Sequence, residues 1–339
     1  MNKSNPREPR ITLAPWVSDI PGVNHDELLA IAKRAIRLRR DPPALSRATY
    51  ERSLVTFIDL LGFRKFVADH SAREVAQALS LFYYSGKEVV VKGPQLRVYA
   101  FSDSIVRVRA VKRREGPPDY YHDLSPVTTE LRNLARIQFE LSCWYGLFLR
   151  GGISYGNVYA RPGMVFGQGL IDVYELEATS SIYPRILIHP KLFSALRTES
   201  ALWQRRGETW TSPLTKVDER FPIDLEATAS SLGNCLMQDE HGHVFLDYLT
   251  PEIKDATLDY LLQHKNLLEL SYEASRDSRV QDKYAWLSHY HNYAIKTDTD
   301  FNEIGIADAN IHEFSILRPE IMNRMSPGFR RIRHFHTEI

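Results

Sequence analysis

The chain has 339 residues, with 43 Lys and Arg against 42 Asp and Glu, a formal charge of +1 that gives no global field to gather a polyanion and argues against a bulk nucleic-acid binder. Hydrophobic residues at 43% allow an ordinary core, no apolar run approaches the roughly 18 residues a membrane span needs, and the length favours one catalytic domain of roughly 150 residues with sizeable additions. Two cysteines, Cys143 and Cys235, make no disulfide framework and the opening residues lack an apolar secretory segment, so a soluble cytoplasmic protein is expected, with no membrane association.

Residues 1–50 read as a polar tail followed by an amphipathic helix over His25–Arg40, stopped by Asp41-Pro42-Pro43. The basic stripe of Lys33, Arg34, Arg37, Arg39 and Arg40 reads as a solvated helix face. A catalytic domain is expected over 51–200. Leu54–Ile58 is a β-branched and aromatic run, apolar on both faces, that predicts a central strand leading into the Asp59-Leu60-Leu61-Gly62-Phe63 turn. Ser71 and Glu74 match a capping box before a helix carrying Val75, Leu79 and Phe82, with Gly86 as its stop.

Gln95–Phe101 and Ile105–Val111 predict two strands joined by Ser102-Asp103-Ser104, an acidic hairpin tip, with a Pro-rich loop at 116–118 beyond. A helix over Thr128–Tyr145, a strand over Leu147–Ser154, a helix over Leu170–Ile182 and a strand over Arg185–His189 follow. The core order is β-α-β-β-α-β, an α+β, ferredoxin-like arrangement with helices on one face of an antiparallel sheet. Residues 201–339 read as a mostly helical accessory region: a short strand at Val244–Tyr248, a helix capped by Thr250-Pro251, and a second helix over Val280–Ile295.

That topology places Asp59, at a strand end, beside Asp103, at a hairpin tip. Two carboxylates plus substrate phosphates suffice to hold Mg²⁺ or Mn²⁺, hard ions that prefer oxygen. Two ions so held can activate a ribose 3′-hydroxyl for attack on an α-phosphorus and stabilise departing pyrophosphate. The turn with Gly62 and Phe63 can offer backbone N–H groups to triphosphate oxygens, with Arg64 and Lys65 nearby. His241-x-His243 and His289-x-His291 lack the companions of a zinc site and read as surface or packing residues, and Glu175 and Glu177 as solvated or paired.

Over residues 53–190 these segments resemble the class III nucleotidyl cyclases. Phe57-Ile-Asp59-Leu-Leu-Gly-Phe63 resembles the first metal-binding segment, Phe101-Ser-Asp103 the second, and Leu149-Arg-Gly-Gly-Ile-Ser-Tyr-Gly156 the family's Arg-x-Gly-Ile-x-x-Gly strand. Phe101-Ser-Asp-Ser-Ile105, Arg150-Gly-Gly-Ile-Ser154 and Tyr183-Pro-Arg-Ile186 most resemble the pyrimidine (uridylate) cyclases of the Pycsar anti-phage system.

The resemblance implies metal ligation by Asp59, Asp103 and the Leu60 backbone carbonyl, with two Mn²⁺ or Mg²⁺ ions per site. It also implies a homodimer with active sites at its interface, one protomer giving the metal aspartates and the other the base pocket. The helix Asn and Arg that purine cyclases use are replaced by Asp172 and Leu176, and Tyr99 and Met164 or Val165 stand where adenylate cyclases read the base. Arg97, on the strand face of Tyr99, is the leading base reader, with Tyr50 as a second pocket residue. For Arg150, an anchoring charge on the central strand is favoured over direct catalysis.

The expected activity is conversion of UTP to 3′,5′-cyclic UMP and pyrophosphate, giving a second messenger for a separate cyclic-nucleotide-sensing effector in anti-phage defence. CTP conversion to cyclic CMP is the first alternative and a non-catalytic, nucleotide-binding signalling module the second. A palm-type polymerase is disfavoured by the balanced charge.

Overall fold

The computed structural model describes residues 48–84, 96–111, 125–194, 209–210, 221–222, 235–249, 258–297 and 311–332. The chain divides into two compact units, Met1–Thr49 and Tyr50–Ile339, and every described helix and strand belongs to the second. The helix expected over His25–Arg40, the Gly86 stop, the Pro-rich loop and the Thr250-Pro251 cap lie outside the described residues.

In chain order the second unit runs β1 (Glu51–Leu61), α1 (Phe63–Asp69), α2 (Ala72–Tyr84), β2 (Leu96–Phe101), β3 (Ser104–Ala110), α3 (Ser125–Tyr145), β4 (Phe148–Arg161), β5 (Met164–Phe166), α4 (Gln168–Ser180) and β6 (Ile186–Ile188). A small pair, β7 (Thr209–Trp210) and β8 (Phe221–Pro222), comes next, then β9 (Leu236–Asp239), β10 (Val244–Leu246), α5 (Leu258–Ala274), α6 (Ser278–Thr297), α7 (Ile311–Phe314), α8 (Pro319–Met322) and β11 (Phe329–Arg331).

The first four strands stand in the order β4-β1-β3-β2, every neighbour antiparallel. This 4-1-3-2 order is the ferredoxin-like split βαβ, and the fold is α+β. Strand β1 is central because its residues are apolar toward both faces. Leu54, Ile58 and Leu60 alternate with Val55 and Phe57, and register with β3 and β4 puts each set on one side.

The first set packs with Phe82 of α2 and with Leu131, Leu134, Ile137 and Leu141 of α3, which recur at helical spacing. The second set meets Val106, Val108, Val158 and Val173, the last on α4. Helix α2 begins at a reciprocal capping box: Ser71 N–H donates to Glu74 Oε2 at 2.8 Å and Glu74 N–H to Ser71 Oγ at 3.4 Å. Gly151 is required where β4 crosses β1, because a Cβ there would sit 2.1 Å from the Phe57 carbonyl oxygen.

The sheet continues beyond β4. Strand β6 pairs with β4 in parallel through Gly151–Ile153, then with β10 through Phe245 opposite Leu187, and β9 and β11 follow. The region after residue 200 therefore adds strands to the same sheet as well as helices α5 and α6. The turn between β9 and β10 is closed by Asp239, whose Oδ1 accepts the His241 and His243 N–H groups and whose Oδ2 binds Arg185 at 2.6 Å. No helix among the described residues is long and apolar enough to cross a membrane.

Candidate active site

Strand β1 ends at Leu61, and Gly62 then turns the chain at φ 84, a left-handed conformation open to glycine, straight into α1. Asp59 is the register partner of Ser104, and the Leu60 N–H donates to the Asp103 carbonyl at 3.0 Å. The two aspartates thus stand at adjoining strand ends, both half-buried, as the hairpin reading anticipates. The Leu60 and Phe63 side chains are buried in the core, so what either could offer a ligand is its backbone.

Asp59 points to the face opposite α2 and α3, because it alternates with Ile58 and Leu60. On that face its antiparallel partner is Arg150. Arg150 Nη2 donates to Asp59 Oδ2 at 2.8 Å, and Arg150 Nε lies 2.8 Å from Oε1 of Glu177, within ion-pair distance but away from hydrogen-bond alignment. Burial raises the Glu177 pKa; the pull of Arg150 opposes this and the repulsion of Asp59 adds to it.

Glu177 lies on the last turns of α4, and a fourth group, Lys283 of α6, is electrostatically coupled to Asp59, Arg150 and Glu177. Sequence reasoning identified Arg150 as an anchoring charge and Glu177 as solvated or paired, and did not find Lys283. Only the register of β4 against β1 shows that Arg150 meets Asp59, and no local pattern joins residue 283 to residue 59.

Arg97 and Tyr99 occupy the same sheet face farther from Asp59, and Tyr50 precedes β1 at its far end. Arg97 is level with Val108 and hence Val55, about 13 Å from the level of Asp59 along the strand, and Tyr50 stands about 30 Å upstream along an extended chain. Arg97 Nη1 lies 3.7 Å from Glu51 Oε2, and Arg161 Nη2 lies 3.2 Å from Glu51 Oε1. Tyr99 Oη donates to the Arg161 carbonyl at 2.8 Å, and burial raises its pKa against the pull of Arg97 and Arg161. Tyr50 is exposed and meets Phe166 edge-on at 6.0 Å. One chain therefore brings together Asp59, Asp103, Leu60, Gly62 and Phe63, and sets Arg97, Tyr99 and Tyr50 farther along the sheet.

No family model and no curated protein matches the chain. Solved structures do. The adenylyl cyclase CyaB from P. aeruginosa is similar at 15% identity over 45% of this chain and 83% of that one, with a TM-score of 0.33. The guanylyl cyclase Cya2 is similar at 18% identity over 44% and 79%, with a TM-score of 0.31. The dimeric guanylyl cyclase domain of the RhoGC fusion protein from the aquatic fungus Blastocladiella emersonii is similar at 14% identity over 58% and 93%, with a TM-score of 0.33.

Asp172 is tied into the fold. Gln168 Nε2 donates to its Oδ1 at 2.8 Å and Lys191 Nζ to its Oδ2 at 2.6 Å. Burial alone would raise its pKa, but these two partners outweigh it and hold the carboxyl below the usual range. His243 N–H donates to Asp239 Oδ1, His241 is exposed, and His291 is fully buried.

Proposed function

We propose that this protein is a two-metal nucleotidyl cyclase that converts a pyrimidine nucleoside triphosphate, UTP first and CTP as the alternative, to its 3′,5′-cyclic monophosphate and pyrophosphate. The observation that supports it most is the meeting of Asp59 and Asp103 at adjoining strand ends of a 4-1-3-2 sheet, beside a glycine turn into α1. The cyclase-like motifs of the sequence fall on these positions.

The donor set suits hard divalent ions. Arg150 engages Asp59 through Oδ2, so Oδ1 can still ligate a cation. Two carboxylates suit an ion completed by substrate phosphates rather than by a protein cage. When bound, Mn²⁺ or Mg²⁺ supplies Lewis acidity that acidifies the ribose 3′-hydroxyl and stabilises pyrophosphate.

In this reading Asp59, Asp103 and the Leu60 carbonyl hold the ions, while Arg150 orients the Asp59 carboxylate and is itself steadied by Glu177. The 3′-oxygen forms a bond to the α-phosphorus, the bond to the β-phosphate oxygen breaks, and the hydroxyl proton leaves to solvent. The backbone of Gly62 and Phe63 lies beside the polyphosphate. Because Arg97 and Tyr50 stand far along the sheet from Asp59, base recognition by Arg97, Tyr99 and Tyr50 calls for a second copy of the chain, giving a homodimer with shared sites. Phe101, Phe166, Ile171 and Tyr174, large side chains left exposed, offer apolar area for that contact. The cyclic product would act as a second messenger of anti-phage defence, read by a separate effector.

Incubation with each of four nucleoside triphosphates and Mn²⁺, with products identified by mass spectrometry, tests the proposal. Cyclic UMP or cyclic CMP is expected from the wild type. Asp103→Ala should lower the rate by more than about 100-fold, since residues one layer beyond a metal's own ligands already cost up to that much. No cyclic pyrimidine product, or an undiminished Asp103→Ala, defeats it. The engagement of Asp59 by Arg150 favours one rival, a module that binds nucleotide without turnover; triphosphate binding with no product would mark that case.

A further inference from the structure

The cluster around Asp59 holds two cations that differ in one respect. Arg150 is committed to two carboxylates, Asp59 and Glu177, at 2.8 Å each. Lys283 has no carboxylate within ion-pair distance among the described residues, although its side chain is half-buried and its charge is felt by Glu177. Burial lowers its pKa and Arg150 lowers it further, with Asp59 opposing.

Packing explains how this ammonium comes to be there. Tyr284, the next residue of α6, sits edge-on against Phe148 with ring centroids 6.0 Å apart. Phe148 is two residues before Arg150 on β4 and shares its strand face. Two residues beyond Tyr284, Trp286 stacks on Tyr183 at 5.3 Å and is fully buried. Helix α6 is therefore locked just beyond Lys283, against the strand that carries Arg150 and the segment leading into β6. A long cation held this way in a partly desolvated place, without a counter-ion, loses hydration unless an anion arrives to replace it.

We propose that Lys283, supplied from outside the βαββαβ core, contacts the polyphosphate of the substrate and the pyrophosphate it leaves behind. The proposal rests on the cyclase reading for its substrate, and assigns α6 a direct part in the site. Asp59 and Glu177 already share Arg150, and Lys283 is the cation positioned to balance an entering phosphate chain without being drawn from an existing pair.

The test is titration calorimetry of inorganic pyrophosphate with Mg²⁺ into the full-length protein, alongside steady-state kinetics. Lys283→Ala and Lys283→Met, which keeps the apolar stem, are each expected to weaken pyrophosphate binding about tenfold or more and to raise KM to a similar degree. Lys283→Arg should restore most of both. Lys296→Met, the same charge change at an exposed position near the end of α6, should leave both unchanged. Thermal unfolding of each variant identifies one that fails to fold, in which case the other variant decides.

Wild-type pyrophosphate binding retained in a folded Lys283 variant overturns the proposal, as does absence of pyrophosphate binding by the wild type. Should the wild type bind pyrophosphate in a Lys283-dependent way yet form no cyclic nucleotide, the cyclase reading falls while the phosphate contact stands. Should cyclisation proceed unaffected by Lys283, the opposite holds.

Discussion

The two sides of β6 bury polarity in different ways. On the βαββαβ side, Glu130 of α3 lies fully buried between two arginines of β3, with Arg107 Nε at 2.6 Å and Arg109 Nη2 at 2.7 Å. Burial alone would raise the Glu130 pKa, but the two guanidinium groups outweigh it and hold the carboxyl below its usual range.

On the other side, His264 of α5 and His291 of α6 form a chain of neutral groups. His291 Nε2 lies 2.9 Å from the Phe314 carbonyl, so that nitrogen carries the proton and donates. Its Nδ1 must then accept from His264 Nδ1 at 3.1 Å, leaving His264 Nε2 to accept from Tyr248 Oη at 3.0 Å. Each proton in the chain has one place. Full charges in matched pairs tolerate acid down to the carboxylate range, whereas a neutral imidazole chain is disrupted as soon as either ring is protonated.

The largest effect that would break this contrast is loss of the anion. Glu130→Ala leaves two buried guanidinium groups sharing no carboxylate, and should destabilise the protein by about 3–5 kcal/mol in denaturant unfolding. A loss under about 1 kcal/mol would show that water or a rearranged partner serves instead.

Acid should act next, and on the other side of β6 first. Burial, with a smaller push from Lys265, lowers the His291 pKa to about 4, while that of an unfolded histidine lies near 6.5. Between these values the unfolded chain takes up the proton and the folded one does not. The stabilisation is thus complete above about pH 6.5 and drains away as pH falls toward about 4, roughly 3 kcal/mol from this ring. His264, also lowered by burial, shifts in the same direction. Hydrogen exchange across that range should show α5 and α6 opening before α3, and simultaneous opening would sink the contrast.

A smaller effect sharpens it. Tyr290 Oη donates to Asp247 Oδ1 at 2.5 Å and accepts the Tyr248 and Leu249 N–H groups at 3.1 Å each. Tyr290→Phe removes all three bonds with little change of volume and should cost about 1–3 kcal/mol, read as a lowered urea midpoint.

Much of the first region was legible in the chain itself. The apolar run before Asp59, the capping box at Ser71 and Glu74, and the Ser102-Asp103 tip are local signals, and periodicity carried them to the correct elements. What stayed hidden depends on pairing between distant segments. Arg107 and Arg109 look like solvated strand residues until α3 supplies Glu130. Phe245 lies opposite Leu187 across a gap no turn motif spans, so the joining of β9, β10 and β11 to the sheet had no sequence signature. For the same reason Asp59 stood out as a candidate ligand, but its neighbours Arg150, Glu177 and Lys283, drawn from three separate elements, were not readable as a set.

Strand β6 is three residues long, and all three, Ile186, Leu187 and Ile188, are buried. Among the described residues it is the only bridge in the sheet between β4 and β10. A chain shortened near residue 200 would strip β10 from it and leave an apolar strand with a free edge, the kind of surface on which chains stick to one another. The later region therefore covers an apolar edge of the βαββαβ part that would otherwise stand open to such contact.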